Sequence, residues 1–340
     1  MSPDERFFVT GALGCIGAWT VRTLIRAGAT VTAFDLGSDT RRLRLIMSPE
    51  ELARVNFETG DITDLDRLAT ALDRNESTNV IHLAALQVPF CRADPPLGAR
   101  VNVLGTVNVF EAVRRRAASS AMAPIVYTSS IGMYGAGDVD PVSGRLRADA
   151  EAHPLNHYGV YKLANEGNAR VYWLDNGIAS VGLRPMTVYG VGRDQGMTSG
   201  PTKAIVAAVL HQPYSVPFRG ATLYQYTEDV ARTLIAASRS SIAGSPVFNL
   251  PGEVADGPVI LRAIEAVVPG ASEFIRFEPV DLPFPSEIDH DGIEALGEIG
   301  VTPLAEGIRA SAEAYQALAQ AGRLDPAEHG LEPVSVGPPA

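Results

Sequence analysis

The chain has 340 residues, of which 46% are hydrophobic and 20% charged, a composition typical of a globular protein with a sizeable core. Its formal net charge of −11 argues against an open nucleic-acid surface, which draws affinity from clustered lysine and arginine. No apolar stretch reaches the roughly 18 residues that cross a bilayer, and the first residues lack the features of a secretion signal, so we expect no membrane partner and a cytoplasmic protein.

Strand-like and helical patterns alternate through the first half of the chain. Strands are predicted at RFFVTG, ATVTAFD, VNFETGD, NVIHLAA and PIVYTSS, and helices from Gly14 to Ala27 and at DLDRLATALDR and VNVLGTVNVFEAVRRR. A further helix from about Tyr158 to Asn176 leads into the strand IASVGLRP. This alternation predicts an α/β fold, with a doubly wound parallel sheet and helices on both faces.

A glycine-rich turn connects the first strand to the first helix. Gly11, Gly14 and Gly17 space this turn so that backbone N–H groups, including those of Cys15 and Ile16, can approach a pyrophosphate at the helix N-terminus. For the glycine triplet alone, a tight turn without a ligand is the alternative. The residues at the ends of the following strands favour the ligand.

The second strand ends at Asp35, whose carboxylate can accept hydrogen bonds from both ribose hydroxyls of an adenosine and would repel a 2′-phosphate. This favours NAD over NADP. Arg41 and Arg42 follow closely and remain alternative ligands for such a phosphate. The next two strand ends supply a polar adenine contact and a close wall for the dinucleotide, at Asp61 and Ile62 and at Leu83, Ala84 and Ala85.

After Arg184 the pattern loosens, then returns to helix and strand at EDVARTLIAASRS and PVFNL. We interpret this as an excursion from the sheet and a return to it. The predicted organisation is a dinucleotide-binding Rossmann domain over residues 1–185, rejoined by about 226–250, a smaller discontinuous C-terminal substrate domain over 186–225 and 251–320, and a tail over 321–340.

A tyrosine and a lysine four residues apart fall on one face of the predicted helix, at Tyr158 and Lys162. Only two of the 28 basic residues are lysine, so a chance pairing of this kind is rare in this chain. A nearby ammonium lowers the pKa of a phenol, which then becomes a usable base for a substrate hydroxyl. Ser130, just after the strand IVYTSS, can bind the substrate oxygen, with Ser129 and Thr128 as rivals.

Together these residues resemble the extended short-chain dehydrogenases, the family of nucleotide-sugar epimerases and dehydratases. By that resemblance Tyr158 is the acid/base, Lys162 orients the nicotinamide ribose and lowers the Tyr158 pKa, and Ser130 polarises the substrate oxygen. The same resemblance adds Asn102, Pro185 and Val188 to the cofactor site, after the motifs VNVLGT, LRP and VYG. It also implies a homodimer, because the helices that hold Asn102 and Tyr158 commonly pair in the family.

The chain departs from the family pattern at three places. Dehydratases carry Thr-Asp-Glu where this chain has Ser130, Ile131 and Gly132, so we do not expect water elimination. Epimerases that bind nucleoside diphosphates place an arginine near the position of Thr222, where Arg219 is offset, and a second arginine near residues 288–290 is missing. Without these cations the negative charge of a diphosphate would be poorly compensated, so we expect a nucleotide-free substrate.

Substrate selection is predicted to lie in the excursion over residues 192–203. Its polar groups suit a polyhydroxylated small molecule, and Arg193 or Lys203 can meet a carboxylate, although Lys203 can equally be an exposed helix residue. The predicted substrate contacts are Gln87, Ser130, Met133, Tyr134, Arg193, Thr198 and Lys203. The two cysteines, Cys15 and Cys91, lie apart from each other and from clustered histidines, so no metal site is predicted.

Three functions remain open. The leading hypothesis is an NAD-dependent oxidoreductase that oxidises or reduces a secondary alcohol of a sugar or sugar acid. The second is an NAD-dependent sugar epimerase that keeps its NAD and uses the same three catalytic residues. The third is a non-catalytic NAD-binding sensor or scaffold.

Overall fold

Strands and helices alternate along the computed structural model, which describes residues 5–331. The strands are β1 (Arg6–Thr10), β2 (Thr30–Asp35), β3 (Asn56–Thr59), β4 (Asn79–His82), β5 (Ile125–Thr128), β6 (Ser180–Arg184), β7 (Thr187–Tyr189), β8 (Tyr214–Val216), β9 (Thr222–Tyr226), β10 (Val247–Asn249), β11 (Glu253–Ala255) and β12 (Ile275–Phe277). The helices are α1 (Cys15–Arg26), α2 (Arg41–Ile46), α3 (Pro49–Leu52), α4 (Leu65–Arg74), α5 (Val88–Ala93), α6 (Pro95–Ala99), α7 (Gly105–Ala117), α8 (His157–Asn176), α9 (Gly200–Val209), α10 (Thr227–Ser238), α11 (Gly257–Glu265) and α12 (Leu304–Gln320).

Seven parallel strands form the main sheet, in the order β10-β6-β5-β4-β1-β2-β3. The predicted doubly wound α/β fold is therefore confirmed. From β1 the chain builds outward through β2 and β3, then crosses back to β4 and builds in the opposite direction. The carboxyl ends of β1 and β4 flank the point where this order reverses, which is where such sheets bind ligands.

Alternating side chains along the strands fill two cores, one on each face of the main sheet. In β1, Phe7 and Val9 belong to the core that includes residues of α1 and α10, whereas Phe8 belongs to the core with residues of α4 and α7. All three side chains are fully buried. A strand that is buried on both faces needs an almost continuous apolar sequence, and the segment RFFVTG has one.

The C-terminal region forms two smaller sheets, β11-β9-β7 and β12-β8, beside α9, α11 and α12. Only β10 of this part of the chain returns to the main sheet, where it pairs with β6. The predicted tail begins after α12, but a short turn at Pro326–His329 places His329 and Leu331 in buried positions. These residues are thus packed, while residues 332–340 lie outside the described part of the chain.

Residues 5–331 contain neither a membrane-spanning helix nor a cluster of metal-ligating side chains. None of the helices there combines the length and the apolar character that a bilayer crossing requires. Over the same range, no three side chains of His, Cys, Asp or Glu are grouped as metal ligands would be.

Candidate active site

A cavity of about 610 Å³ runs along the carboxyl ends of the main-sheet strands. Every predicted cofactor residue except Asn102 lines it: Gly11, Gly14, Cys15, Ile16, Gly17, Asp35, Asp61, Ile62, Leu83, Ala84, Ala85, Tyr158, Lys162, Pro185 and Val188. These residues come from six separate stretches of sequence. The parallel sheet brings them together because it places all its strand ends at one edge.

The glycine turn lies against the end of β4. Gly11 has φ +67°, and a Cβ there would lie 2.5 Å from the Ala84 backbone nitrogen, so any other residue would strain the turn and push the two strand ends apart. Gly14 caps α1 without a side-chain hydrogen bond, which leaves the first N–H groups of the helix open to the cavity. This uncapped N-terminus fits the pyrophosphate of a dinucleotide.

At the same end of the cavity as the glycine turn, Asp35 accepts a hydrogen bond from the Leu13 backbone N–H at 2.9 Å. Its carboxylate thus lies beside the glycine turn, where it fits an adenosine ribose. Arg41 and Arg42, the alternative ligands for a 2′-phosphate, both form ion pairs with Asp194, at 3.0 and 2.7 Å. Because that buried carboxylate already holds both guanidinium groups, this geometry favours NAD.

Ser130, Tyr158 and Lys162 meet at the other end of the same cavity. Asn156 caps α8, with its side chain accepting a hydrogen bond from the Gly159 N–H at 2.9 Å, and so fixes where the helix begins. One turn of α8 then separates the phenol from the ammonium. The Lys162 Nζ lies 5.5 Å from the centre of the Tyr158 ring and donates a hydrogen bond to the Thr128 carbonyl oxygen at 2.6 Å.

Burial dominates the electrostatics of these groups. It raises the pKa of Tyr158, while the Ser130 hydroxyl and the Arg193 guanidinium act to lower it. Burial also lowers the pKa of Lys162 to about 8. Ser130 and Arg193 therefore act to lower the phenol pKa, while the Lys162 ammonium is held near the ring by the Thr128 carbonyl. That Lys162 also lowers the Tyr158 pKa stays a prediction.

The structure separates Ser130 from one of its two rivals. The Ser129 hydroxyl donates to Glu166, which also holds Arg184 at 2.7 Å, so this serine belongs to a buried ion-pair network. Thr128 contributes its carbonyl to Lys162. Ser130 is the hydroxyl that acts on the Tyr158 phenol, while Thr128, which also lines the cavity, stays an alternative.

Four predicted substrate contacts line the cavity, and three do not. Gln87, Ser130, Arg193 and Thr198 lie at the catalytic end. Met133 and Tyr134 are buried instead, because the turn after Ser130 directs them into a small apolar core. Lys203 lies on the side of α9 that faces the C-terminal turn, with its Nζ against Gly330.

Asn102 also lies outside the cavity. Its side-chain amide donates to the Leu86 carbonyl at 2.9 Å, and its oxygen accepts from the Leu86 N–H at 2.7 Å. This pair of bonds fixes the loop after β4, which carries the cavity residues Ala85 and Gln87. Asn102 therefore positions the cofactor wall without contacting the cavity itself.

The model of the NAD-dependent epimerase/dehydratase family matches residues 7–250. The chain belongs to that family. It is therefore an NAD-dependent enzyme of the extended short-chain dehydrogenase type, as its motifs predicted.

Relatives within this NAD-dependent family differ in the reaction that their names state. UDP-glucose 4-epimerase of Mycolicibacterium smegmatis is 29% identical over 320 residues, 92% of this chain and 98% of that protein. D-erythronate dehydrogenase of Cupriavidus necator is 32% identical over 162 residues, 46% of this chain and 47% of that protein. A solved structure of a partial-consensus L-threonine 3-dehydrogenase superposes with a TM-score of 0.79 at 25% identity, covering 92% of this chain and all of that one. Membership alone leaves the reaction open.

Several cavity residues of this family member were not identified from sequence, among them Met186, Asp194 and Phe284. Met186 and Phe284 line the catalytic end without any motif, and Phe284 comes from a proline-rich stretch. Asp194 directly follows Arg193, but the sequence did not indicate that it pairs with Arg41 and Arg42, because they lie about 150 residues earlier. An acidic residue in a loop otherwise rich in glycine was the available signal.

Proposed function

We propose that this protein is an NAD-dependent dehydrogenase of a secondary alcohol, acting on a nucleotide-free sugar or sugar acid. The observation that carries the proposal is the convergence of Ser130, Tyr158 and Lys162 at one end of a cavity whose other end holds Asp35. This arrangement places a proton acceptor at the end of the cavity where a nicotinamide would lie.

Each of the three residues has a separate task in alcohol oxidation. The Tyr158 oxygen takes the proton of the substrate hydroxyl, and Ser130 donates a hydrogen bond to the same substrate oxygen. Lys162, held by the Thr128 carbonyl, supplies positive charge near the phenolate that accepts this proton. NAD, when bound along the cavity, supplies the acceptor for the hydride that the carbinol carbon loses. In the reverse direction Tyr158 returns the proton.

The cofactor would be held by groups already in place. The uncapped start of α1 would bind the pyrophosphate, and Asp35 would bind the adenosine ribose. Asp61 and Ile62 lie where an adenine contact is expected, and Lys162 is within the cavity for ribose hydroxyls.

Two observations favour a dehydrogenase acting on a nucleotide-free substrate. Arg219, the cation nearest to the family position for a diphosphate, is not among the residues that line the cavity in the described chain. Arg193 instead lines the cavity together with Tyr158, and its guanidinium acts to lower the pKa of the phenol. The similarity to D-erythronate and L-threonine dehydrogenases supports the same reaction class.

Epimerisation is the second candidate, because the similarity to UDP-glucose 4-epimerase extends over nearly the whole chain. Steady-state absorbance at 340 nm separates the two, with NAD and a panel of aldonates, free sugars, polyols and UDP-sugars. We expect continuous NADH formation with a nucleotide-free compound. NAD that copurifies and never turns over, together with interconversion of a UDP-sugar, would establish the epimerase instead.

We also propose a homodimer that pairs through α8. An apolar stripe runs along its solvent-facing side at helical spacing, through Val160, Leu163, Gly167, Val171 and Leu174. The four large side chains are exposed, and the space around Gly167 is open. Exposed apolar surface of this kind marks an interface, and a second copy of the same helix fits it through the pairing expected for the family.

A further inference from the structure

One cation at the catalytic end has no counter-ion. The Arg193 Nε has neither solvent contact nor a hydrogen-bond partner, and its Nη2 donates only a long bond to the Thr198 hydroxyl at 3.3 Å. The adjacent carboxylate, Asp194, is already shared by Arg41 and Arg42. Over residues 5–331, Arg193 forms no ion pair with any carboxylate. Because the Nε of this partly buried guanidinium is shielded from water and lacks a partner, a ligand that brings an anion would be favourable here.

A second unpartnered group lies next to this arginine. The buried Gln87 Oε1 has no hydrogen-bond partner, and both it and the Arg193 Nη2 lie against Gly196. Gly196 has φ +98°, and a Cβ there would lie 3.1 Å from the Arg193 Nη2 and still closer to the Gln87 oxygen. Glycine at this position therefore leaves room for the two side chains side by side, each with free hydrogen-bonding capacity in the cavity.

Two anions can reach this position, the pyrophosphate of NAD and a carboxylate of the substrate. Cys15, at the start of α1 where the pyrophosphate is expected, is among the groups that act on the charge of Arg193. However, the open start of α1 already serves a pyrophosphate, and an amide such as Gln87 is better suited to a hydroxyl. Arg193 and Tyr158 line the same cavity, and the guanidinium charge acts to lower the pKa of the phenol, so it is felt at the catalytic oxygen.

We propose that Arg193 binds a carboxylate of the substrate, with Thr198 beside it and Gln87 on a neighbouring hydroxyl. Resting on the function proposed above, this narrows the substrate to a hydroxy acid, oxidised at a carbon close to its carboxylate. Arg193 is then the residue that determines specificity for acids over neutral sugars and polyols.

Equilibrium binding tests this without depending on turnover. The wild-type protein, Arg193→Gln, Arg193→Lys and Lys203→Gln are titrated first with NADH, followed by fluorescence. The protein–NADH complexes are then titrated by calorimetry with glycerate, erythronate, threonate and gluconate, and with the polyols glycerol, erythritol, threitol and sorbitol. Lys203→Gln is the matched control, because it removes a cation from the same excursion but outside the cavity.

We expect at least one acid to bind the wild-type complex more tightly than its polyol by about 30-fold, as a charge-assisted contact allows. Arg193→Gln should remove that preference and leave NADH affinity within about twofold, Arg193→Lys should keep part of it, and Lys203→Gln should match the wild type. Equal weakening of NADH and acid in Arg193→Gln would assign the arginine to the pyrophosphate and overturn the proposal. A wild-type complex that prefers no acid would overturn it as well. Binding of an acid without NADH formation would contradict only the dehydrogenase reaction.

Discussion

The carboxylate of Asp194 lies 2.7 Å from the Arg42 guanidinium and joins the substrate excursion to the segment that follows Asp35. Arg42 also donates to the Leu13 carbonyl at 3.1 Å, so the same side chain contacts the glycine turn. The two ends of the cavity are thus connected through one buried ion pair. Its partners cannot be changed singly without leaving a buried charge uncompensated.

Asp194→Asn should weaken the discrimination against NADP. With its carboxylate removed, Arg41 and Arg42 become free to meet a 2′-phosphate, while Asp35 still repels it. We expect the ratio of NADP to NAD dissociation constants to fall by about five- to tenfold, the size of one charge-assisted contact. Asp66→Asn, on the exposed surface of α4, is the control. An unchanged ratio would show that the two arginines do not reach the ribose.

Ser130→Ala should move the pH dependence of alcohol oxidation to higher pH. Tyr158 must lose its proton to act as base; burial raises its pKa and Ser130 lowers it, so removing the hydroxyl raises the pKa further. Profiles of kcat/KM against pH should show the ascending limb, where Tyr158 loses its proton, moved to higher pH, with a lower rate at pH 8. Ser129→Ala is the control: the Ser129 hydroxyl bonds Glu166, so its removal should leave the midpoint of the profile unchanged. A midpoint that shifts equally in both variants would contradict the assignment of Ser130 as the hydroxyl that lowers the pKa of Tyr158.

Much of the cofactor end could be predicted because it depends on local backbone. Gly11 directly follows β1 and Asp35 is the last residue of β2, and a parallel sheet brings such positions together at one edge. The pairing of Asp194 with Arg42 could not, since it joins segments about 150 residues apart with no periodic signal. Lys203 was a reasonable candidate for a substrate contact from the sequence, but the orientation of α9 about its axis directs its side chain toward Gly330. Position along the chain fixes neither helix rotation nor the packing of a long loop.

His82 should make the protein less stable in mild acid. Its ring lies buried between the Thr10 and Thr106 hydroxyls, at 2.7 and 3.0 Å, and burial lowers its pKa to about 3. The unfolded chain takes up a proton below about pH 6.5 and the folded protein does not, so stability falls as pH falls, by about 1.4 kcal/mol per unit. His329, with a pKa lowered to about 4, adds a second such contribution.

Urea unfolding between pH 6 and pH 5 measures this slope. His82→Gln should reduce it by about 1.4 kcal/mol per pH unit, whatever its effect on stability at pH 7. His153→Gln, which changes an exposed histidine, should retain the wild-type slope. A His82→Gln slope equal to that of the wild type would mean that the imidazole is protonated in the folded protein.

Val171→Asp should dissociate the proposed dimer. A carboxylate in the middle of the α8 stripe would be buried without a partner when two copies meet. Light scattering after size exclusion should give twice the chain mass for the wild type and the mass of one chain for the variant. Val142→Asp, at an exposed loop position, should remain dimeric. A wild-type protein of single-chain mass at micromolar concentration would contradict the dimer.

Replacement of Tyr158 by phenylalanine tests the central claim most directly. The measurement is the rate of NADH formation on the best substrate of the panel, together with NADH affinity of the same variant. We predict a loss of kcat of about 100-fold or more, because phenylalanine keeps the ring but removes the group that carries the proton, with NADH affinity nearly unchanged. A loss of less than about tenfold, which corresponds to roughly 1.4 kcal/mol, would contradict the assignment of Tyr158 as the acid/base.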